Sequence, residues 1–358
     1  MCRRNLFICH TPFQVITSII IKQSKYPDDY ADIILSSAFQ NYKIIGERCK
    51  ATEIFEHVFT VSLTKANCTI GPLIPYYFTK DLENYFPDTY DRIFTNGPYY
   101  DLDNSVFYKF KNAEVIVYDE GYSTYTNDFL RMPKKFSFRH RIIRNLSQFI
   151  FNRTYMETAA KKIMLYDPEL CVKPLPYSIE KIWDKNHNDA IKIMKAISYV
   201  FNVTDAISEY NKKYIFFEEC FASDFQNNGD IEIIRRIISI VGSENLIVKL
   251  HPRDKTNRFI DLGISTNQTI SVPNEALVTE MQNQGKVFIT FSSGGVLNYR
   301  FLCDCSIKTI LLYKLLPSGF ITMPEDRLQW FEKFLKKYHE NLFAPKTFEE
   351  LEKLLEAV

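Results

Sequence analysis

Glycine is scarce in this chain: 11 residues in 358, about 3% where ~7% is usual. None of them falls into GxGxxG or GxxxxGK, so dinucleotide-binding and P-loop folds lack their phosphate-cradling fingerprint. HExxH is absent, as is any CxxC pair. The eight cysteines (Cys2, Cys9, Cys49, Cys68, Cys171, Cys220, Cys303, Cys305) are scattered, with Cys303 and Cys305 forming a lone CxC. This spacing excludes a zinc cluster and a disulfide framework, and predicts mostly buried free thiols in a reducing compartment. Charge of one sign is missing too. Lys and Arg number 44 against 43 Asp and Glu, a net charge of +1, which argues against wholesale binding of nucleic acid. The longest apolar run, Val15–Ile21, includes Thr17 and Ser18 and falls far short of the ~20 residues of a membrane span. MCRRNLFICH at the start holds no signal-peptide core, so the five N-x-S/T sequons carry little meaning. The expectation is a cytoplasmic protein.

Aromatic residues are plentiful, at 15%, and apolar residues make up 46%, enough for well-filled cores. At roughly 150 residues per domain the length predicts about two domains. Short apolar runs alternate with amphipathic stretches over the first 120 residues or so. Strands are predicted at 5–9, 32–35, 57–61, 92–95 and 114–118, with helices at 13–23, led by Pro12, and at 42–50. The rhythm pauses between about 130 and 210. There RMPKKFSFRHRIIRNLSQFIFNR (131–153) carries seven Lys and Arg and no acid, and CVKPLPYS (171–178) reads as a linker. A second series follows: strands at 214–217, 245–250, 287–291 and 308–313, helices at 231–240 and near 295–303, and a last helix opened by the capping box Thr347/Glu350. The predicted domains are 1–170, a linker and helix over 171–212, 213–330, and C-terminal helices over 331–358. Two βαβ series predict an α/β chain of two Rossmann-like domains with parallel sheets facing across a cleft, the architecture called GT-B.

Three polar clusters sit where predicted strands end: Asp119-Glu120-Gly121 after EVIVY, His251-Pro252-Arg253 after NLIVKL, and Ser292-Ser293-Gly294-Gly295 after VFITF. Ligands of open parallel sheets bind beyond the carboxyl ends of the strands. Each cluster also has a plain structural explanation. An acidic pair opens turns and caps helices, a strand-end histidine satisfies a buried hydrogen bond, and paired serines cap a helix. Taken together they suit a carboxylate base on one domain and a phosphate clamp on the other. In that clamp His251 donates, Lys249 and Arg253 flank it with charge, and Ser292, Ser293 and Gly294 meet the anion at a helix start. Glu218, Glu219 and Asp224 in FFEECFASD are second candidates for base or donor contact. Asp101 and Asp103 form a DxD of the kind that holds a metal beside a diphosphate, but this aspartate content supplies about one by chance, so no metal is expected.

LFICHTPFQVI at the N-terminus, YDEG at 118–121, KLHPR at 249–253 and FSSGG at 291–295 together resemble glycosyltransferase family 52, the bacterial lipooligosaccharide and capsule sialyltransferases. Similar motifs occur in other bacterial sialyltransferase and polysialyltransferase families. The ordered set spans residues 5 to about 325. The resemblance implies a metal-independent, inverting GT-B enzyme without a cofactor. Its donor would be CMP-N-acetylneuraminic acid and its acceptor a galactose-terminated glycan, most often α2,3-linked. Asp119 and Glu120 match the acidic pair, His251 the His-Pro histidine, and Ser292 and Ser293 the phosphate-binding pair. In parts of the group the acid comes instead from the loop after the first strand of the second domain, here 218–224, so the base stays open between the two acidic groups. The rivals are the same scaffold with another nucleotide sugar and a CDP-alditol phosphotransferase, since His-Pro and Ser-Ser mark those enzymes as well. The family also allows a homodimer, and 131–153 suits contact with the anionic inner membrane.

Overall fold

The structure is a computed structural model that describes residues 2–63, 86–96, 101–126, 142, 160–185, 188–219, 230–254, 256–269, 272–281, 284–303, 307–317, 320 and 323–357. The basic stretch 131–153, apart from residue 142, and Asp224 lie outside the described residues. The chain divides into two compact units, Met1–Val200 and Phe201–Val358.

The first unit is built on a sheet in the order β3-β2-β1-β4-β5-β6-β7. Its strands are β1 (Arg4–Cys9), β2 (Tyr30–Ser36), β3 (His57–Val61), β4 (Arg92–Thr95), β5 (Glu114–Tyr118), β6 (Lys162–Leu165) and β7 (Ser178–Lys181), and every pairing is parallel. From Asn5 to Cys9 β1 is fully buried, as a strand covered on both faces must be, and that is why it reads as a continuous apolar run. Phe7 stacks on Phe94 of β4 at 4.4 Å between ring centres. The helix Pro12–Lys25 begins with the hydroxyl of Thr11 accepting the Gln14 N–H, has Pro12 in its first turn, and ends with Lys22 and Lys25 near the negative helix end. Its apolar run is the core of this unit: Val15, Ile16, Ile19, Ile20 and Ile21 are all inaccessible.

The second unit repeats the plan in the order β10-β9-β8-β11-β12-β13, again with every pairing parallel. The strands are β8 (Tyr214–Phe217), β9 (Leu246–Lys249), β10 (Ser265–Thr266), β11 (Val287–Thr290), β12 (Lys308–Leu311) and β13 (Leu342–Phe343). The helix Asp230–Val241 lays Ile233, Ile234, Ile237 and Val241 on one side, the i, i+3, i+4 stripe of an amphipathic helix, against Phe216, Val248 and Phe259. Phe348–Glu356 starts at Thr347, whose hydroxyl accepts the Glu350 N–H at 3.2 Å, while the Glu350 carboxylate reaches back one residue further than expected, to Lys346 N–H at 2.7 Å.

Two differences from expectation concern the quiet middle of the sequence. KIML (β6) and SIEK (β7) extend the first sheet, so 171–212 contains a strand as well as the helix Ala190–Phe201. SIEK is an edge strand whose side chains are mostly exposed, and such a strand has no apolar alternation to betray it. The helix expected near 295–303 is two short turns, Gly294–Leu297 and Tyr299–Leu302, divided at Asn298.

In both sheets the strand order reverses once, between β1 and β4 in the first and between β8 and β11 in the second. Those reversals open a crevice at the carboxyl ends of the strands. GT-B is thereby the fold of the chain: two parallel-sheet α/β units in sequence.

Candidate active site

At the carboxyl end of β5 the backbone turns through Asp119, Glu120 and Gly121. Gly121 has φ +100° and ψ −156°, a conformation that side chains rarely tolerate, which explains why glycine closes the acidic pair. Its N–H donates to Asp119 Oδ1 at 2.7 Å. The other Asp119 oxygen accepts the Tyr166 N–H at 3.1 Å and the Tyr125 hydroxyl. Asp119 is inaccessible, and burial pushes its carboxyl up to about 7 against those three donors. Held by three donors and inaccessible to solvent, this carboxyl ties β5 to the end of β6.

Glu120 is different. It is only half-buried, and its Oε1 accepts the Gln14 side-chain amide at 2.7 Å. Burial pushes its carboxyl up to about 7, opposed by the charge of His10 and by hydrogen bonds from Gln14 and Thr11. A carboxyl poised near neutrality on the open end of a sheet suits removal of a proton from a hydroxyl.

In the second unit both carboxyls of the acidic pair after β8 accept hydrogen bonds from the protein. Glu218 is 3% exposed. Its Oε2 accepts the His251 N–H at 2.9 Å and its Oε1 the Arg258 Nε–H at 3.0 Å. Arg258 also grips Asp230 with two parallel bonds of 2.9 and 2.6 Å. Glu219 receives the Thr290 hydroxyl at 3.0 Å, the Ser292 hydroxyl at 2.8 Å and the Ser292 N–H. Arg327 caps this knot from the other side, donating to the carbonyl and the hydroxyl of Ser292, both at 3.0 Å.

These bonds shape the two motifs beside them. Glu218 fixes the backbone of His251, and His251 Nδ1 accepts the Arg253 N–H at 3.2 Å, which leaves the ring proton on Nε2. Pro252 and Arg253 are exposed and His251 is partly so. Lys249 is 5% exposed and lies inside the unit. Burial pushes its ammonium down to about 8 against the attraction of Glu275 and Glu209. Burial likewise pushes Glu275 up to about 7, opposed by Asn298, which donates to it at 3.0 Å, and by Lys249. Ser292 is 1% exposed and already bonded, so Ser293, half-buried with no capping bond from its side chain, is the serine left to meet an anion. Gly294 and Gly295 open a single helical turn, whose dipole is small, so any anion there would be held by individual N–H groups.

The structure thus brings His251 to Glu218, and Ser292 to Glu219, within one unit, and sets Asp119 and Glu120 at the end of the other unit's sheet. Sequence reasoning missed Arg258, Arg327 and Glu275, which are separated in sequence from the motifs they serve. It also missed His10 and Gln14, although both stand in LFICHTPFQVI. The usable signal was a histidine ending the first strand and a glutamine on the buried face of the next helix. Asp103 of the DxD is inaccessible and bonded to His10 and Thr95, a structural position. Among the described residues one group has metal-ligand reach: Asp32, Glu56 and His57, with ligand atoms within 4.8 Å of one another. It lies toward the amino ends of β2 and β3, and Asp32 is already occupied by His57 and Tyr90. No helix among the described residues is long and apolar enough to cross a membrane.

Solved structures share the fold. An alpha/beta-galactoside alpha-2,3-sialyltransferase from the luminous marine bacterium Photobacterium phosphoreum aligns with a TM-score of 0.50 at 12% identity, covering 96% of this chain and 98% of its own. The glycotransferase of kitacinnamycin aligns with a TM-score of 0.52 at 9% identity, covering 99% and 90%. No curated protein sequence matches the chain. The alpha-2,8-polysialyltransferase (POLYST) family matches residues 5–314, a span that takes in all the motifs above. Family 52 itself is not the family found; the chain belongs to the alpha-2,8-polysialyltransferase family, and with it to the sialyltransferases.

Proposed function

We propose that the chain moves N-acetylneuraminic acid from CMP-N-acetylneuraminic acid to a hydroxyl of a bacterial surface glycan with inversion, without a metal or cofactor. The observation that carries this reading is Glu120, a half-buried carboxyl at a strand end, raised to about 7 and aimed by Gln14. The acceptor O–H gives its proton to Glu120 as the oxygen forms a bond to the anomeric carbon. The bond from that carbon to the phosphate oxygen breaks, and CMP leaves with the electron pair. A single phosphate can be met by His251 Nε2–H, the Ser293 hydroxyl and the N–H groups of Gly294 and Gly295 as charge builds on it. Glu218 and Glu219 act by holding those groups in place. Arg253 at the exposed turn adds positive charge, and buried Lys249 lies deeper in the donor region. The basic stretch 131–153 would keep the enzyme at the inner membrane, near a lipid-linked acceptor.

The acceptor has two readings. A terminal galactose follows from the motif resemblance, whereas the family's own description favours a terminal sialic acid and an α2,8 bond. The test is CMP release from CMP-N-acetylneuraminic acid in EDTA, with lactose or with α2,3-sialyllactose, and mass analysis of the product. Release with lactose and a sialyl-lactose product supports galactose. Release with sialyllactose and a disialyl product supports sialic acid. Release that needs magnesium would overturn metal independence. No release with either acceptor, but turnover of another nucleotide sugar or a CDP-alditol, would overturn the donor.

A further inference from the structure

The turn that leaves β11 is held from outside the sheet. Ser292, its first residue, is buried, and its N–H and hydroxyl donate to Glu219. Its carbonyl and its hydroxyl oxygen both accept from Arg327 Nη2, each at 3.0 Å. The next N–H, that of Ser293, faces Thr290 Oγ1 at 3.4 Å. The peptide between the two serines is thus held at its oxygen and at its N–H. Thr290 and Glu219 belong to the strand ends beside the turn, whereas Arg327 lies 35 residues beyond Ser292, in the first turn of the helix Glu325–Lys337. That helix is firmly seated: Trp330, Phe331 and Phe334 are inaccessible, and Phe331 stacks on Tyr313 at 5.1 Å between ring centres. The Arg327 guanidinium carbon lies 5.6 Å from the centre of the Phe331 ring, one helical turn on, a cation–π contact that steadies the direction of the side chain. The turn is also confined at Gly295, where a Cβ would come within 3.3 Å of Glu275 Oε1.

We infer that Arg327 is a positioning residue for the leaving phosphate: by holding the Ser292 carbonyl it fixes the peptide that leads into the Ser293 hydroxyl and the Gly294 and Gly295 N–H groups. The inference rests on the proposed reading in which that turn meets the phosphate. A carbonyl oxygen is the negative end of the peptide dipole, and beside an anion it repels unless a donor holds it elsewhere. Arg327 suits the task, because the two N–H bonds of one planar nitrogen reach two acceptors on the same residue and the guanidinium is never deprotonated. It acts through Ser292 rather than on the reacting atoms. Such placement matters most as the bond to the sugar breaks and charge grows on the phosphate, when a misplacement of about 1 Å costs on the order of 10²-fold.

The test compares CMP with cytidine, which lacks the phosphate, by calorimetry on the full chain, alongside kcat and KM for CMP release from CMP-N-acetylneuraminic acid. In Arg327→Ala the Kd of CMP should rise about tenfold while that of cytidine stays put, and kcat should fall about 10²-fold with the acceptor KM unchanged. Arg327→Lys keeps the charge without the planar fork. It should show the same pattern at smaller size, and it serves if Arg327→Ala does not fold. Equal weakening of CMP and cytidine, or no change in either, would overturn the inference and leave Arg327 a support of the fold alone. Should the wild type bind UMP and not CMP, the donor assignment fails, yet UMP against uridine in the same variants still reports whether Arg327 acts on the phosphate. A wild type that binds a nucleotide no more tightly than its nucleoside would remove the phosphate from this turn, and the inference with it.

Discussion

Two acidic pairs stand at the carboxyl ends of two strands, Asp119-Glu120 after β5 and Glu218-Glu219 after β8, and in sequence nothing ranks one above the other. Their surroundings do. In the first pair one carboxyl is sealed by three donors and the other keeps an open side. In the second, Glu218 is buried against the His251 backbone and Arg258, and Glu219, half-buried like Glu120, accepts three hydrogen bonds, from the Thr290 hydroxyl and from the hydroxyl and N–H of Ser292. A carboxyl that accepts backbone N–H groups organises the chain around it, as Asp119, Glu218 and Glu219 do, whereas Glu120 accepts from side chains alone and keeps a side on which a proton can be exchanged with a substrate. On the proposed mechanism the first sheet end would serve proton transfer and the second would hold the loop that meets the leaving phosphate.

The sharpest way to break that contrast is to neutralise each carboxylate without changing its shape. Glu120→Gln should lower kcat by about 10³-fold, within the range for loss of a general base, with the melting temperature nearly unchanged. Glu218→Gln should do the reverse. Removing one partner of a buried ion pair costs roughly 3–5 kcal/mol, so a large fall in thermal stability is expected, with turnover of the folded fraction retained within about tenfold. Parallel thermal melts and kcat measurements separate the two. A Glu120→Gln enzyme at full speed would move the base to the second acidic group, including Asp224, which lies outside the described residues.

A somewhat smaller effect is expected at His251. His251→Ala should cost at least ~10²-fold in kcat, the scale for losing a group that meets leaving-group charge. The loss should shrink for a donor whose leaving group is already a better one, because less charge then needs stabilising. An equal loss for both donors would make His251 a binding residue instead.

Much of this was legible beforehand. The buried strands announce themselves because both faces are covered: LFIC, YIFF, LIVK and VFIT are nearly unbroken apolar runs. The polar clusters at their ends mark the site because the parallel topology points those ends one way. What could not be read is which polar group is satisfied. Glu219 and Ser292 lie 73 positions apart and Glu218 and Arg258 lie 40 apart, so their bonds exist only once β8, β9 and β11 are adjacent. Asp103 is the instructive case. A DxD reads as a metal motif or as chance, whereas its actual partner is a histidine 93 residues earlier. The edge strand β7 was hidden for the opposite reason, since exposed residues carry no burial pattern to recognise.

The smallest expected effect tests whether the second unit's remaining buried acid is structural as well. Glu275 is 4% exposed and held at about 7, where a glutamate is ordinarily near 4.5. Its raised value means that its contribution to stability is complete below about pH 4.5 and is lost as pH rises through about 7. Lys249, pushed down to about 8, works in the other direction, its contribution being lost as pH falls through 8. Between the two values the charges attract, and above pH 8.5 Lys249 is largely neutral and Glu275 stands alone as a buried anion. In Glu275→Gln the side-chain carbonyl can still accept from Asn298, so the shape is kept and only the charge is lost. The variant should melt with the wild type at pH 5 and a few degrees above it at pH 9, a shift in keeping with the sensitivity of a domain of this size. Melting curves that stay parallel across that range would mean that Glu275 ionises in the fold as readily as in water. In that event the second sheet end, like the first, would hold an acid free to exchange protons, and the contrast between the two units would lose half of its basis.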